Sequence, residues 1–138
     1  MSHKQIRSLY EQRLAGWAEA REPTLRVAYQ NAAFTPNDDE TYLQVYLLPA
    51  LTASNTLAGD HHLYTGTFQV SVITPSGGGE GAAEGIVVEL AELFPVNLRI
   101  SRDGFEVLVL TPVSQGPAVP NGTTQSVSAS FTYRADTE

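Results

Sequence analysis

The spacing of apolar residues switches repeatedly between two periods along this chain, which calls for a fold built of both helices and strands. From Ile6 to Trp17 the apolar residues Ile6, Leu9, Tyr10, Leu14 and Trp17 recur three and four apart, lining one face of a helix. Gln5, Arg7, Ser8, Glu11 and Gln12 fill most of its other side. Pro23 ends the pattern near Arg21, because the residue before a proline is pushed out of helical geometry. The period then drops to two. Leu25, Val27 and Tyr29 alternate with polar or small residues, as do Leu43, Val45 and Leu47 within Thr41 to Leu48, and Phe68, Val70 and Val72 within Leu63 to Thr74. Each run reads as a strand with one face on a core.

Helical spacing returns at Ile86, Leu90, Leu93 and Phe94, from about Ala82 to Phe94, with Pro95 as the stop. Leu98 to Ile100 and Phe105 to Leu110 then flank Ser101-Arg102-Asp103-Gly104, whose Asp-Gly pair signals a hairpin. Val127, Ala129, Phe131 and Tyr133 alternate in a last strand. Thr35 to Glu40 has turn chemistry and an acidic tip. Pro49 to His62 and the Pro/Gly-rich Thr111 to Gly122 are expected to be long loops, a class that often carries function. The order implies an α+β fold: two helices packed on a largely antiparallel or mixed β-sheet, in one compact domain over residues 1–138.

Composition removes several classes of function. Apolar residues at 42% and charged residues at 17% are too many and too few for a disordered chain. Without cysteine there is no disulfide scaffold, thiolate metal site or cysteine nucleophile. No apolar run approaches the ~20 residues that span a membrane. Met1-Ser2-His3-Lys4-Gln5 runs straight into the helical pattern, so no signal peptide is expected, and synthesis in the cytoplasm is. A net charge of −7 repels duplex DNA except where cations gather. Lys4, Arg7, Arg13, Arg21 and Arg26 do gather in the first part of the chain, where a solvated helix face is the plainer explanation.

Three features invite a catalytic reading, and none sustains it. Gly77-Gly78-Gly79-Glu80-Gly81 lies between a strand and a helix, as phosphate-binding loops do. A Walker loop needs Gly-Lys-Ser/Thr at the helix start, whereas Gly79-Glu80-Gly81-Ala82-Ala83-Glu84 offers acids, and the third glycine of a dinucleotide fingerprint is Glu84. Asp60-His61-His62 lacks further ligands for a metal, and adjacent residues of a strand point to opposite faces. Asp38-Asp39-Glu40 lacks the spaced oxygens and glycine of a calcium loop. No glycine-flanked serine elbow is present. We expect no enzyme activity, cofactor or metal.

Contact surfaces fit the residues better. Asp38, Asp39 and Glu40 are candidates to meet Arg99 or Arg102 of a neighbouring subunit. The strands carry Tyr29, Tyr42, Tyr46, Tyr64 and Tyr133, a residue type enriched at protein contacts. Tyr46-Leu47-Leu48-Pro49-Ala50-Leu51 is apolar on both strand faces. Either that strand has a helix on each side or it continues into a contact with another chain.

The segment from Tyr64 to Phe94, with Gly66-Thr67-Phe68-Gln69-Val70-Ser71-Val72 leading through the glycine turn into a helix that ends at Phe94-Pro95, resembles the tail terminator family of tailed bacteriophages, the family of the lambda minor tail protein U. The resemblance extends over most of the chain as an order of elements. It implies a virion protein at the head–tail junction that forms a hexameric ring of itself on the last ring of the tail tube protein. That ring stops tube polymerisation and presents a surface to the head-completion or connector protein, with no membrane partner and DNA only through the ring lumen. On this reading the 36–40, 49–62 and 111–122 loops contact tube or connector, with Leu51, Asn55, Leu57, His61 and His62 in the second and Gln115 and Asn121 in the third. Sheet edges and acid–arginine pairs would close the ring. A connector or tail-tube subunit, or a small-ligand-binding or enzymatic α+β domain, are the alternatives.

Overall fold

The computed structural model describes residues 3–30, 32–50, 53–54, 62–77 and 81–137, with the backbone alone at 53, 54, 62 and 137. In chain order the elements are α1 (His3–Ala20), β1 (Arg26–Ala28), β2 (Tyr42–Pro49), β3 (Ala53–Ser54), β4 (His62–Pro75), α2 (Gly81–Leu93), β5 (Arg99–Arg102), β6 (Phe105–Val109), β7 (Ser114–Asn121) and β8 (Thr124–Thr137). The strands form one sheet in the order β1-β2-β4-β8-β6-β5, with β3 added to β4 and β7 to β8. β1 runs parallel to β2, and the other recorded pairs are antiparallel, giving the mixed α+β sheet that the sequence implies.

Period-two alternation puts Leu43, Val45 and Leu47 of β2, Phe68, Val70 and Val72 of β4, Val107 and Val109 of β6, and Val127, Ala129, Phe131 and Tyr133 of β8 into one buried layer. Both helices cover that layer, α1 through Ile6, Leu9, Tyr10, Leu14 and Ala18 and α2 through Ala83, Ile86, Val87 and Leu90. Tyr10, Phe68, Phe94 and Phe131 meet at its centre with ring centroids 5.1 to 5.8 Å apart, so one aromatic cluster joins α1, β4, the end of α2 and β8. Polar links lock the helices together at the rim. Arg21 donates to both carboxylate oxygens of Glu89, at 3.2 and 2.8 Å, and Arg13 Nε donates to the Leu93 carbonyl at 2.8 Å. The second bond places a cation at the C-terminal end of α2, where the helix dipole favours it.

The β5–β6 hairpin turns through Asp103 and Gly104, whose φ values of 53° and 81° are the paired positive angles of a type I′ turn. The expected 111–122 loop needs correction: most of it is β7, which pairs with β8 at Ser114 and Gln115 and again from Ala118 to Asn121. Proline is tolerated because β7 lies at the margin of the sheet, where a missing N–H costs no ladder bond, and Pro117 falls within the register shift. Gly122, with φ 66°, supplies the turn to β8. The two-residue turn is Gly122-Thr123, closed by the Asn121–Thr124 pair, and its glycine is the readable sign of the hairpin.

Candidate partner-binding surfaces

At one end of the sheet the segment from Phe34 to Thr41 is organised around a single carboxylate. Glu40 accepts bonds from Arg26 Nε at 2.8 Å, from a terminal Arg26 nitrogen at 3.0 Å and from the Asn37 amide at 2.8 Å. The arginine and amide bonds hold the Glu40 carboxyl below its ordinary pKa. The Arg26 guanidinium also lies 4.5 Å from the centre of the Phe34 ring, which packs on Tyr42 at 5.0 Å. Asp38 and Asp39 are left exposed at the tip, with Asp39 at φ 58°. They line an open cleft of about 370 Å³ with Tyr42, Pro75 and Thr124. The β7–β8 turn carrying Asn121 is tied to the same end by the Ser76 amide, which donates to the Thr123 carbonyl at 2.8 Å. Asp38, Asp39, Glu40 and Asn121 are therefore gathered on one surface.

Arg99 and Arg102 stand at the other end. Arg99 pairs with Glu106 at 2.7 Å, and Arg102 reaches Ser8 and Gln12 of α1. Beside them Arg134 pairs with Asp136 at 3.2 Å, and these residues share a cleft of about 320 Å³ with Leu108 and Leu110. Glu40 and Arg99 are thus each engaged within the chain. His3 Nδ1 lies 2.7 Å from the Tyr133 hydroxyl, whose pKa burial pushes up to about 12. Leu51, Asn55, Leu57 and His61 lie outside the described residues, while the backbone of His62 pairs with β3 and β8. Gln115 sits on the helix side, where its amide donates to Glu84 at 3.4 Å.

A third surface includes Tyr42, Tyr46 and Leu48 from the contact residues expected above. The sheet face opposite the helices carries, row by row across β2, β4, β8 and β7, Tyr42, Ile73, Ser126 and Val119, then Gln44, Ser71 and Ser128, then Tyr46, Gln69, Ser130 and Ser114. The next row holds Leu48, Thr67 and Thr132, with Leu110 beside Thr132 through a 2.9 Å backbone bond. No helix among the described residues packs on it, so the helix-on-each-side explanation of Tyr46 to Leu51 does not apply. The readable signal was the run of small uncharged polar residues Ser126, Ser128, Ser130 and Thr132 between the core positions of β8.

No group of three or more His, Cys, Asp or Glu able to hold a metal is found among the described residues. Nor is any helix among them long and apolar enough to cross a membrane. Of the five clustered cations, Arg13, Arg21 and Arg26 are committed to internal bonds, which weakens the case for a nucleic-acid face.

Comparison with known proteins gives the lineage. No curated protein sequence matches the chain. One solved structure is 44% identical, covering 98% of this chain and 96% of its own, with a TM-score of 0.83. The family model described as phage tail terminator protein matches residues 5–133, which takes in nearly all of both helices and the sheet as far as Tyr133. The chain belongs to the phage tail terminator family and is a structural component of phage tails.

Proposed function

We propose that this protein caps the tail tube, ends its polymerisation and forms the surface to which the head is joined. The observation that carries this reading is the family match over residues 5–133, which involves the whole domain rather than one element. The physical logic supports it. A tube grows by head-to-tail contacts, and a ring whose two faces differ, one matching the tube and one not, ends that growth. The ends of the sheet differ in the required sense. One bears the exposed acids Asp38 and Asp39, the other Arg102 and the Arg99–Glu106 and Arg134–Asp136 pairs. The 36–40 loop and the β7–β8 turn then contact tube or connector, and copies of the chain associate into a hexameric ring between them.

Negative-stain microscopy of tail tubes assembled with and without the purified protein tests the proposal. Tubes of uniform length bearing one extra terminal ring are expected. An unchanged length distribution with no added ring refutes capping, and tubes built from this protein alone would make it a tube subunit instead.

A further inference from the structure

We propose that the outer face of α1 is a docking groove for an acidic segment of a partner protein, one that sets a carboxylate against Arg7 and an apolar side chain between Ala15 and Tyr29. The positive charges of the chain are unevenly matched. All eight Lys and Arg residues lie among the described residues. Arg21, Arg26, Arg99 and Arg134 are paired with Glu89, Glu40, Glu106 and Asp136. Arg13 bonds the last carbonyl of α2, at Leu93. Lys4, Arg7 and Arg102 have no carboxylate partner among the described residues, and they gather around one helix of a chain whose net charge is −7.

Helical spacing brings the three together. Lys4, Ser8, Glu11 and Ala15 recur four, three and four apart, on the side of α1 turned away from its buried residues Ile6, Leu9, Tyr10 and Leu14. With Arg7 on one flank they line an open groove of about 470 Å³, walled by Tyr29 just beyond β1. From the other flank Arg102 reaches Ser8 and Gln12, which belong to the same groove. Both are neutral acceptors, so the Arg102 charge stays uncompensated. Past Ala15 and Tyr29 a second groove of about 420 Å³ continues over Ala18, Leu25 and Val27, giving an occupant an apolar path along α1 beside the edge strand β1.

Arg7 selects the chemistry of the occupant. Its Nε is buried and finds no acceptor, a vacancy that folded proteins seldom leave. Glu11, one turn along and the one acid lining the groove, feels the arginine's charge yet leaves that donor unmet. A carboxylate meets a guanidinium fork with two parallel bonds, and Lys4 at the exposed rim adds attraction at longer range. A phosphate backbone is the poorer match. Glu11 stands within the groove, the chain as a whole is negative, and Ala15 and Tyr29 present apolar surface to a side chain rather than cations to a row of phosphates.

Two synthetic peptides titrated into the full chain and followed by NMR provide the test, one alternating glutamate with phenylalanine and one alternating lysine with phenylalanine. The glutamate peptide is expected to shift the Arg7 Nε–H signal and the amides of Ser8, Ala15 and Tyr29, and the lysine peptide to leave them in place. Arg7→Gln should weaken binding about tenfold, the loss of one charge-assisted pair, and Arg7→Lys by less. Ala15→Gln, which fills the groove without removing a charge, should weaken it as well. Lys4→Gln, at an exposed position outside the core, should weaken it a few-fold, and circular dichroism checks that every variant folds. Unchanged affinity in Arg7→Gln and Lys4→Gln would overturn the proposal. So would displacement of the peptide by duplex DNA at the same residues, or self-association of the chain that both Arg7→Gln and Asp39→Asn abolish, which would hand the groove to another copy. None of these outcomes bears on capping.

Discussion

Gly66 makes room for Tyr133: a β-carbon at position 66 would press on the Tyr133 hydroxyl and stand 2.7 Å from the Leu48 carbonyl oxygen. Gly66 lies opposite Pro49 on one side and Tyr133 on the other, between the two longest ladders of the sheet. The glycine of the Gly66-Thr67-Phe68-Gln69 segment is therefore a packing requirement, set by a tyrosine that is itself fully buried.

Gly66→Ala is expected to destabilise the fold by about 1–3 kcal/mol, the usual cost of forcing an extra carbon into a packed interior. Tyr133→Phe in the same chain should not rescue it, because the Leu48 carbonyl and the ring carbon of Tyr133 remain within contact. Urea unfolding followed by circular dichroism checks both, and a wild-type midpoint for the single variant would contradict the packing account.

The Arg21–Glu89 pair joins the two helices with a two-pronged bond, and both side chains are partly exposed. Glu89→Gln should cost about 0.5–1 kcal/mol at low salt. The difference from wild type should shrink at high salt, because partly exposed pairs are screened. Thermal melts at two salt concentrations measure this.

Glu40 should titrate below the ordinary glutamate value, held there by Arg26 and the Asn37 amide. Its folded pKa is depressed, so the stability it lends the 36–40 loop is present above the unfolded value of 4.5 and lost as pH falls through the folded one. Carboxyl NMR of wild type and Arg26→Gln checks the cause: the variant should titrate closer to the ordinary value.

His3 is pushed the other way for a base. Burial and the nearby Arg7 charge lower its pKa, so the folded protein holds it neutral. Between the folded value and the unfolded 6.5 the unfolded chain binds more protons, so this contribution to stability is whole above 6.5 and declines as pH falls below it. His3→Gln should flatten the fall in melting temperature between neutral and mildly acidic pH. Comparing the two proteins isolates the effect from Glu11, whose carboxyl burial pushes up.

Most of the layout was legible because the core is patterned at the period of each element. Leu43, Val45 and Leu47 alternate without a break, and Ile6, Leu9, Tyr10 and Leu14 keep helical spacing, so packing and local preference agree. β7 was hidden because prolines read as loop residues, and only its marginal place in the sheet, a long-range fact, makes them acceptable. Asp38, Asp39 and Asn121 were legible singly as loop residues. Their gathering at one end depends on the antiparallel registers of β2, β4 and β8, which local sequence does not encode. Likewise Glu40 reads in the sequence as a charge awaiting a neighbour, whereas Arg26, fourteen residues earlier, already holds it.

The β4–β8 ladder runs unbroken from His62 opposite Thr137 to Pro75 opposite Thr124. At ~3.3 Å per residue, fourteen paired positions make a girder of roughly 45 Å. It carries the acidic tip's neighbours at one extremity and the His3–Tyr133 contact near the other, with no hinge between. A load placed on one extremity is therefore conveyed to the other through a single stiff member.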